Sequence, residues 1–151
     1  MYPVIDFHCD MLSYMLEAPN PQPNQLTSIG CSIPALLQGN VVLQIMAIYA
    51  TVEPGSSVKG IQQSVLFNEL ISSHSTKLQK FDNTFFESRL GERNTVTCLA
   101  AIENAASFAE ENEPLSVSFK RLEKIITTTG KLAYIGLTHH GENRFGGGNS
   151  T

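Results

Sequence analysis

Two near-continuous apolar runs constrain the fold of this 151-residue chain more than any other feature. Residues 41–50 and 95–102 carry apolar side chains on both faces of an extended chain, which is typical of strands covered on two sides in a parallel sheet. Apolar residues at helical spacing follow each run. The first stripe comprises Ile61, Val65, Leu66, Leu70, Ile71 and Leu78, and the second comprises Leu115, Phe119, Leu122, Ile125 and Ile126. Strands that alternate with helices predict βαβ units.

Shorter segments continue this pattern. Residues 4–7 and 132–137 predict two further strands, of which we expect the first to be buried, and residues 11–16 and 33–38 predict short helical segments. The glycine-rich end, 146–151, is predicted to be flexible. The chain then has four strand–helix units, the fourth without its helix. A (β/α)₈ TIM barrel needs roughly 250 residues, so we expect residues 1–151 to be the N-terminal half of one α/β barrel domain.

The composition argues against several classes of partner. Charged residues make up 16% of the chain, the net charge is -4, and no run is rich in Lys or Arg, so nucleic acid is not expected as a partner. No run approaches the ~18 apolar residues that span a bilayer. Cys9, Cys31 and Cys98 lie far apart in the sequence and form no disulfide framework, and residues 1–3 do not begin a secretory signal. A cytoplasmic location is the expectation.

Polar residues follow the predicted strands where each one ends. His8 and Asp10 follow the first strand, Glu103 follows the third, and His139 and His140 follow the fourth. Sites of parallel α/β folds form at the carboxyl ends of strands, where the loops converge. We therefore expect these side chains to meet.

The triplet of His8, Cys9 and Asp10 has two interpretations. Residues i and i+2 of an extended segment point the same way, so the imidazole of His8 and the carboxylate of Asp10 can reach one cation. Alternatively, His8 caps a turn and Asp10 caps the next helix. In either case, Cys9 is expected to point away, into the barrel wall.

Glu103 likewise has two interpretations, and the residues leave both open. Its carboxylate can favour the N-terminus of whatever helix begins next, or it can bridge two metal ions. His139 and His140 are adjacent, so in an extended chain their rings point in opposite directions and at most one faces the site. His74 is expected to be a surface residue on a helix.

Four segments resemble, in order, the motifs of the membrane (renal-type) dipeptidase family. They are VIDFHCDML at 4–12, IPALLQG at 33–39 with Gln44 and Tyr49 beyond it, AIENA at 101–105, and YIGLTH at 134–139 followed by Asn143. The resemblance covers nearly the whole chain. It departs from the family at Asn104, where a glycine often stands.

This resemblance implies a zinc-dependent dipeptidase with two Zn²⁺ ions per complete site. His8 and Asp10 match family ligands, and Glu103 matches the carboxylate that bridges both ions. His139 matches the histidine that binds and polarises the dipeptide substrate, and Asn143 matches a residue of the same substrate-binding segment. A water shared by the two ions is expected to attack the peptide carbonyl.

The family's remaining ligands lie in the second half of its barrel. We therefore expect this chain to be inactive alone, and to be part of a longer polypeptide or to act as a homo-oligomer. Two alternatives stay open. One is another metal-dependent barrel hydrolase of the amidohydrolase type, although those more often carry His-x-His after the first strand. The other is a non-catalytic truncated barrel fragment.

Overall fold

A computed structural model describes residues 2–83 and 94–149 of the protein. Within these ranges the chain is a mixed α/β structure. Its strands are β1 (Val4–Asp6), β2 (Val41–Ile48), β3 (Leu78–Lys80), β4 (Val96–Ile102) and β5 (Leu132–Ile135). Its helices are α1 (Met11–Glu17), α2 (Ile33–Gln38), α3 (Ser56–Ser73) and α4 (Leu115–Thr129), with a 3₁₀ turn at Ala105–Ser107. Residues 150 and 151 of the segment predicted to be flexible lie outside the described residues.

All strand pairs in the sheet are parallel. Strand β2 lies between β1 and β4, with its residues 43–48 opposite residues 97–102 of β4. The other edge of β4 is shared, because β3 pairs with its first half and β5 with its second half. The sheet curls, so that Tyr134 of β5 reaches His8, just past β1. The carboxyl ends of all these strands therefore point toward the same edge of one curled parallel sheet.

The hydrophobic core lies between the two central strands and the helices. Strands β2 and β4 are buried along almost their whole length, which confirms the prediction from their unbroken apolar runs. The largest of the fully buried side chains include Phe67, Phe108, Met11, Leu12, Ile33, Ile45, Met46 and Ile48. Burial of each such side chain stabilises the fold by about 1.5–3 kcal/mol.

The apolar stripe that predicted a helix reaching Leu78 is longer than the helix itself. Helix α3 ends at Ser73, and Leu78 belongs to β3, where it lies opposite Val96.

His74 is the C-cap residue of α3: its ring lies 2.8 Å from the carbonyl oxygen of Leu70 and 2.7 Å from the side-chain amide of Asn24. His74 is therefore partly exposed and lies between a helix end and a loop.

Several apolar residues predicted to be buried are exposed. Phe7, which follows β1, is 65% exposed, and Val4 and Ile5 are also exposed. Their exposure arises because β1 has a pairing partner on one side only within the described residues. On α4, Phe119 is 52% exposed whereas Ile125 is fully buried, so part of its apolar stripe faces outward. No helix in the described part of the chain is long and apolar enough to cross a membrane.

Candidate metal centre

The curled sheet brings together the three residues predicted as metal ligands. One ligand atom from each of His8, Asp10 and Glu103 lies within 4.8 Å of the other two. The Nε2 atom of His8 is 3.5 Å from Oδ1 of Asp10 and 3.8 Å from Oε2 of Glu103. Their convergence follows from the topology, because β1 and β4 flank β2 and all three strands end at one edge.

These separations fit shared ligation better than hydrogen bonding. An N–H···O hydrogen bond has a donor–acceptor distance of about 2.7–3.2 Å, and both separations from His8 Nε2 are longer. Two ligand atoms that each lie about 2.1 Å from a tetrahedral zinc ion are roughly 3.4 Å apart. One imidazole nitrogen and two carboxylates are also the donors that zinc accepts. The donor set therefore fits a divalent cation.

The carboxylate of Asp10 is not used to cap the following helix. Asp10 occupies the N-cap position of α1, and its main-chain carbonyl accepts a hydrogen bond from Tyr14 N at 2.9 Å. Its side chain forms no capping hydrogen bond and is 62% exposed. The helix-capping interpretation of Asp10 therefore fails, and the carboxylate is available to a cation.

The carboxylate of Glu103 is not a helix cap either. The residue that caps the next turn is Asn104, whose side-chain oxygen accepts a hydrogen bond from Ala106 N at 3.2 Å. The Glu103 side chain is 19% exposed and divides its two oxygens between two histidines. Oε2 faces His8, and Oε1 lies 2.9 Å from Nε2 of His139. The bridging of two ions by Glu103 stays a prediction.

His139 is the histidine of the adjacent pair that reaches the site. The expectation that the rings of His139 and His140 point in opposite directions is wrong, because their centroids are only 4.2 Å apart and the planes meet at 86°. The physical reason is that β5 ends at Ile135, so these residues lie in a bend rather than an extended segment. The Nδ1 atom of His139 is buried, with no hydrogen-bond partner within the described residues.

Gly136 allows the segment after β5 to approach Glu103 closely. Its main-chain N–H donates to the carbonyl of Ile102 at 2.7 Å. A Cβ atom at this position would lie 2.6 Å from the carbonyl oxygen of Glu103, closer than such contacts occur. Only glycine fits this approach, which carries His139 to the carboxylate.

Asn143 lies beneath the site, with its side chain engaged inside the protein. Its Nδ2 donates to the carbonyl of Leu137 at 2.7 Å and to Oδ1 of Asn104 at 3.0 Å, and its Oδ1 accepts from Phe145 N at 2.9 Å. These bonds hold the loop after β5 against the end of β4. The substrate-binding role that the resemblance implies for Asn143 stays a prediction.

The sequence reasoning did not identify two tyrosines at the site. The hydroxyl of Tyr134 lies 3.1 Å from Nδ1 of His8, and the ring of Tyr49 meets that of His139 edge-on at 5.1 Å. Burial raises the pKa of both phenols, and the charge of Glu103 raises it further. The sequence feature that could have identified them is a tyrosine, whose ring is apolar and whose hydroxyl is polar, at the end of an apolar strand.

Cys9 is buried in the core beside the ligands, as expected, but it is not isolated. Its thiol and that of Cys31 share a hydrogen bond. This bond lowers the pKa of Cys31 and, together with burial, raises that of Cys9. The separation of the cysteines in the sequence therefore does not persist in the fold.

The sequence matches no protein-family model, and no curated protein matches it. The candidate site consequently rests on the geometry of its own residues.

Proposed function

We propose that this chain provides the first part of the metal site of a zinc-dependent dipeptidase. The observation that carries the proposal is the convergence of His8, Asp10 and Glu103, with no helix cap that uses either carboxylate. The four ordered segments that resemble the membrane dipeptidases narrow the reaction from metal-dependent hydrolysis in general to the hydrolysis of dipeptides.

The proposed fold of the complete enzyme is a (β/α)₈ barrel. The parallel order of the strands, their curl and the helices packed on the central strands support it. The exposed apolar residues of the outer strands, Ile5 and Phe7 near β1 and Ile135 of β5, support it as well. Further strands of a closed barrel would cover such residues.

The proposed cofactor is zinc, held in part by His8, Asp10 and Glu103. A zinc ion in a hydrolase site acidifies a coordinated water and polarises the carbonyl of the substrate. The two oxygens of Glu103 face different histidines, which supports the proposal that this residue contacts two ions in the complete site. The other ligands are proposed to come from residues outside this chain.

His139 is proposed to act on the substrate. Its Nε2 lies 2.9 Å from Glu103, so the ring is held within reach of any group bound at that carboxylate. A well-aimed N–H donor stabilises the negative charge that develops on a carbonyl oxygen during hydrolysis. Tyr49 packs edge-on against the ring and is itself held by Gln63, which binds both main-chain polar groups of Tyr49 at 2.6 and 2.9 Å.

The experiment is a comparison of zinc content and dipeptide hydrolysis in the full-length natural protein, purified without chelators. We expect Glu103→Gln to lose zinc and activity together, because the amide removes the negative charge between the ligands. The matched control is Glu123→Gln, which changes an exposed carboxylate on α4.

Wild-type protein without metal, or wild-type-like hydrolysis by the Glu103→Gln variant, contradicts the proposal. Zinc-dependent hydrolysis of cyclic amides or phosphoesters, with no action on dipeptides, identifies the amidohydrolase-type alternative instead.

A further inference from the structure

The hydroxyl of Tyr134, on β5, contacts residues just past β1 at the candidate metal centre. Its oxygen lies 3.1 Å from Nδ1 of His8 and donates a longer hydrogen bond, of 3.4 Å, to the carbonyl oxygen of Phe7. The contact spans 126 positions of the sequence. Tyr134 therefore contacts a proposed ligand on the side of the ring away from the cation.

The contact with Phe7 limits the directions of these hydrogen bonds. A carbonyl oxygen only accepts, so the contact with Phe7 requires the single phenolic proton of Tyr134, which could otherwise be donated to Nδ1 of His8. The oxygen of Tyr134 then has lone pairs left to accept a hydrogen bond from Nδ1–H of His8. A neutral imidazole with its proton on Nδ1 has a free lone pair on Nε2.

The carboxylates near the other nitrogen favour the opposite tautomer. Asp10 and Glu103 lie 3.5 and 3.8 Å from Nε2 of His8, and in the absence of a cation their negative charge favours a proton on that nitrogen. A proton on Nε2 would block ligation through this atom. The hydrogen bond to Tyr134 opposes this effect.

We propose that Tyr134 is a positioning residue that holds the proton of His8 on Nδ1 and thereby leaves Nε2 free to bind a divalent cation. The inference rests on the proposed metal site. Partners of this kind, which bind the second nitrogen of a ligating histidine, fix both the tautomer and the ring orientation. Tyr134 is not proposed to touch the substrate.

The test combines two readouts on the full-length protein with Tyr134→Phe, which removes only the hydroxyl. The first is the tautomer of His8 in the metal-free protein, from the ¹⁵N NMR shifts of its ring, assigned with His8→Gln. The second is the affinity for zinc alone, by titration. The matched control is Tyr14→Phe on α1, whose hydroxyl accepts a hydrogen bond from Gln22 N at 2.8 Å, in the loop after α1.

We expect Nδ1–H in the wild type and a shift toward Nε2–H in Tyr134→Phe. Zinc affinity should fall by about 10- to 100-fold in that variant, as for other partners of metal-ligating histidines. Tyr14→Phe should change neither readout.

A proton on Nε2 in the metal-free wild type overturns the inference, even if the variant fails to fold. Zinc binding that is equally tight in wild type and Tyr134→Phe overturns the inference and leaves the proposed function standing. A wild type that binds no zinc overturns the proposed function, and the inference with it.

Discussion

Asn104 caps the turn after β4, and its neighbour Glu103 is thereby left to face His8 and His139. One acidic residue could either cap the turn or face the histidines. Here Asn104 provides the cap and Glu103 faces the histidines. The side chain of Asn104 is buried and reaches the main chain of Ala50, whereas that of Glu103 is partly exposed at the site. A polar residue that supports the loop therefore adjoins one available for chemistry.

Replacement of Asn104 by alanine is expected to destabilise the fold by about 2–3 kcal/mol, because it removes a cap and leaves buried partners unsatisfied. Its amide donates to Ala50 O at 3.0 Å, and its Oδ1 accepts from both Ala106 N and Asn143 Nδ2. Urea unfolding measures the loss. The control is Asn112→Ala, at an exposed position, and equal unfolding midpoints for the two variants contradict the prediction.

Replacement of Gly136 by alanine is expected to separate β5 from the end of β4. The added methyl group would lie 2.6 Å from the Glu103 carbonyl, and forced overpacking of this kind costs about 1–3 kcal/mol. Thermal unfolding reports the stability, and zinc titration reports the displacement of Glu103. Gly30→Ala is the matched control, since its Cβ meets nothing within 4 Å. A Gly136→Ala protein as stable as the control would show that the backbone adjusts freely.

Replacement of His139 by alanine is expected to slow dipeptide hydrolysis while zinc binding is retained. The ring contacts Glu103 only through the oxygen turned away from His8, so zinc should still bind. Loss of a donor to the developing oxyanion slows hydrolysis by about 10²- to 10³-fold. Zinc titration and kcat for a dipeptide check the two halves of this prediction, with His140→Ala as control. Unchanged kcat removes His139 from the proposed chemistry.

The ion pair of Glu113 and Arg121 is expected to make the free energy of unfolding depend on pH. The two side chains form a bidentate pair with N–O distances of 2.6 and 2.7 Å, which together with further hydrogen bonds lowers the pKa of Glu113 to about 2. Because the pKa is lower in the folded than in the unfolded chain, the pair's contribution is fully present above pH 4.5 and is lost as the pH falls toward 2.

Glu113→Gln should therefore lower the free energy of unfolding near pH 7 by roughly 1–3 kcal/mol. The difference from wild type should shrink as the solution is acidified from pH 4.5 toward pH 2. Urea unfolding at several pH values measures this, with Glu123→Gln as an exposed control on α4, the helix that carries Arg121. A difference that does not change with pH excludes the charge of Glu113 as its cause.

Cys31 is expected to react with iodoacetamide before the other two cysteines. It is half-buried and its pKa is lowered by the hydrogen bond from Cys9, whereas burial raises the pKa of the fully buried Cys98 to about 12. Thiolates are the reactive form. Cys9→Ala should raise the pKa of Cys31 and slow its labelling at neutral pH, as measured by peptide mass spectrometry. Cys98→Ala serves as the control, and faster labelling of Cys98 than of Cys31 contradicts the prediction.

Much of the sheet's centre and of the site's composition could be predicted from the sequence. The apolar runs that became β2 and β4 are local signals, because both faces of a central strand are buried. The sequence places His8, Asp10, Glu103 and His139 directly after predicted strands. Because parallel strands end at one edge of their sheet, this placement predicted that the side chains would meet. The grouping of the three proposed ligands is therefore determined by local pattern and topology together.

Other features depend on how distant segments meet, which local periodicity does not encode. Leu78 fits a helical stripe, yet it pairs with Val96 because α3 ends five residues earlier. Phe7 is as apolar as a core residue, but the outer position of β1 leaves it exposed.

The contact between Tyr134 and His8 likewise arises only when the sheet curls enough to bring its outer strands together. The sequence by itself thus determined which residue types stand at the ends of the strands. The tertiary structure alone decided their partners, since the register and curvature of a sheet are set by packing across the whole core.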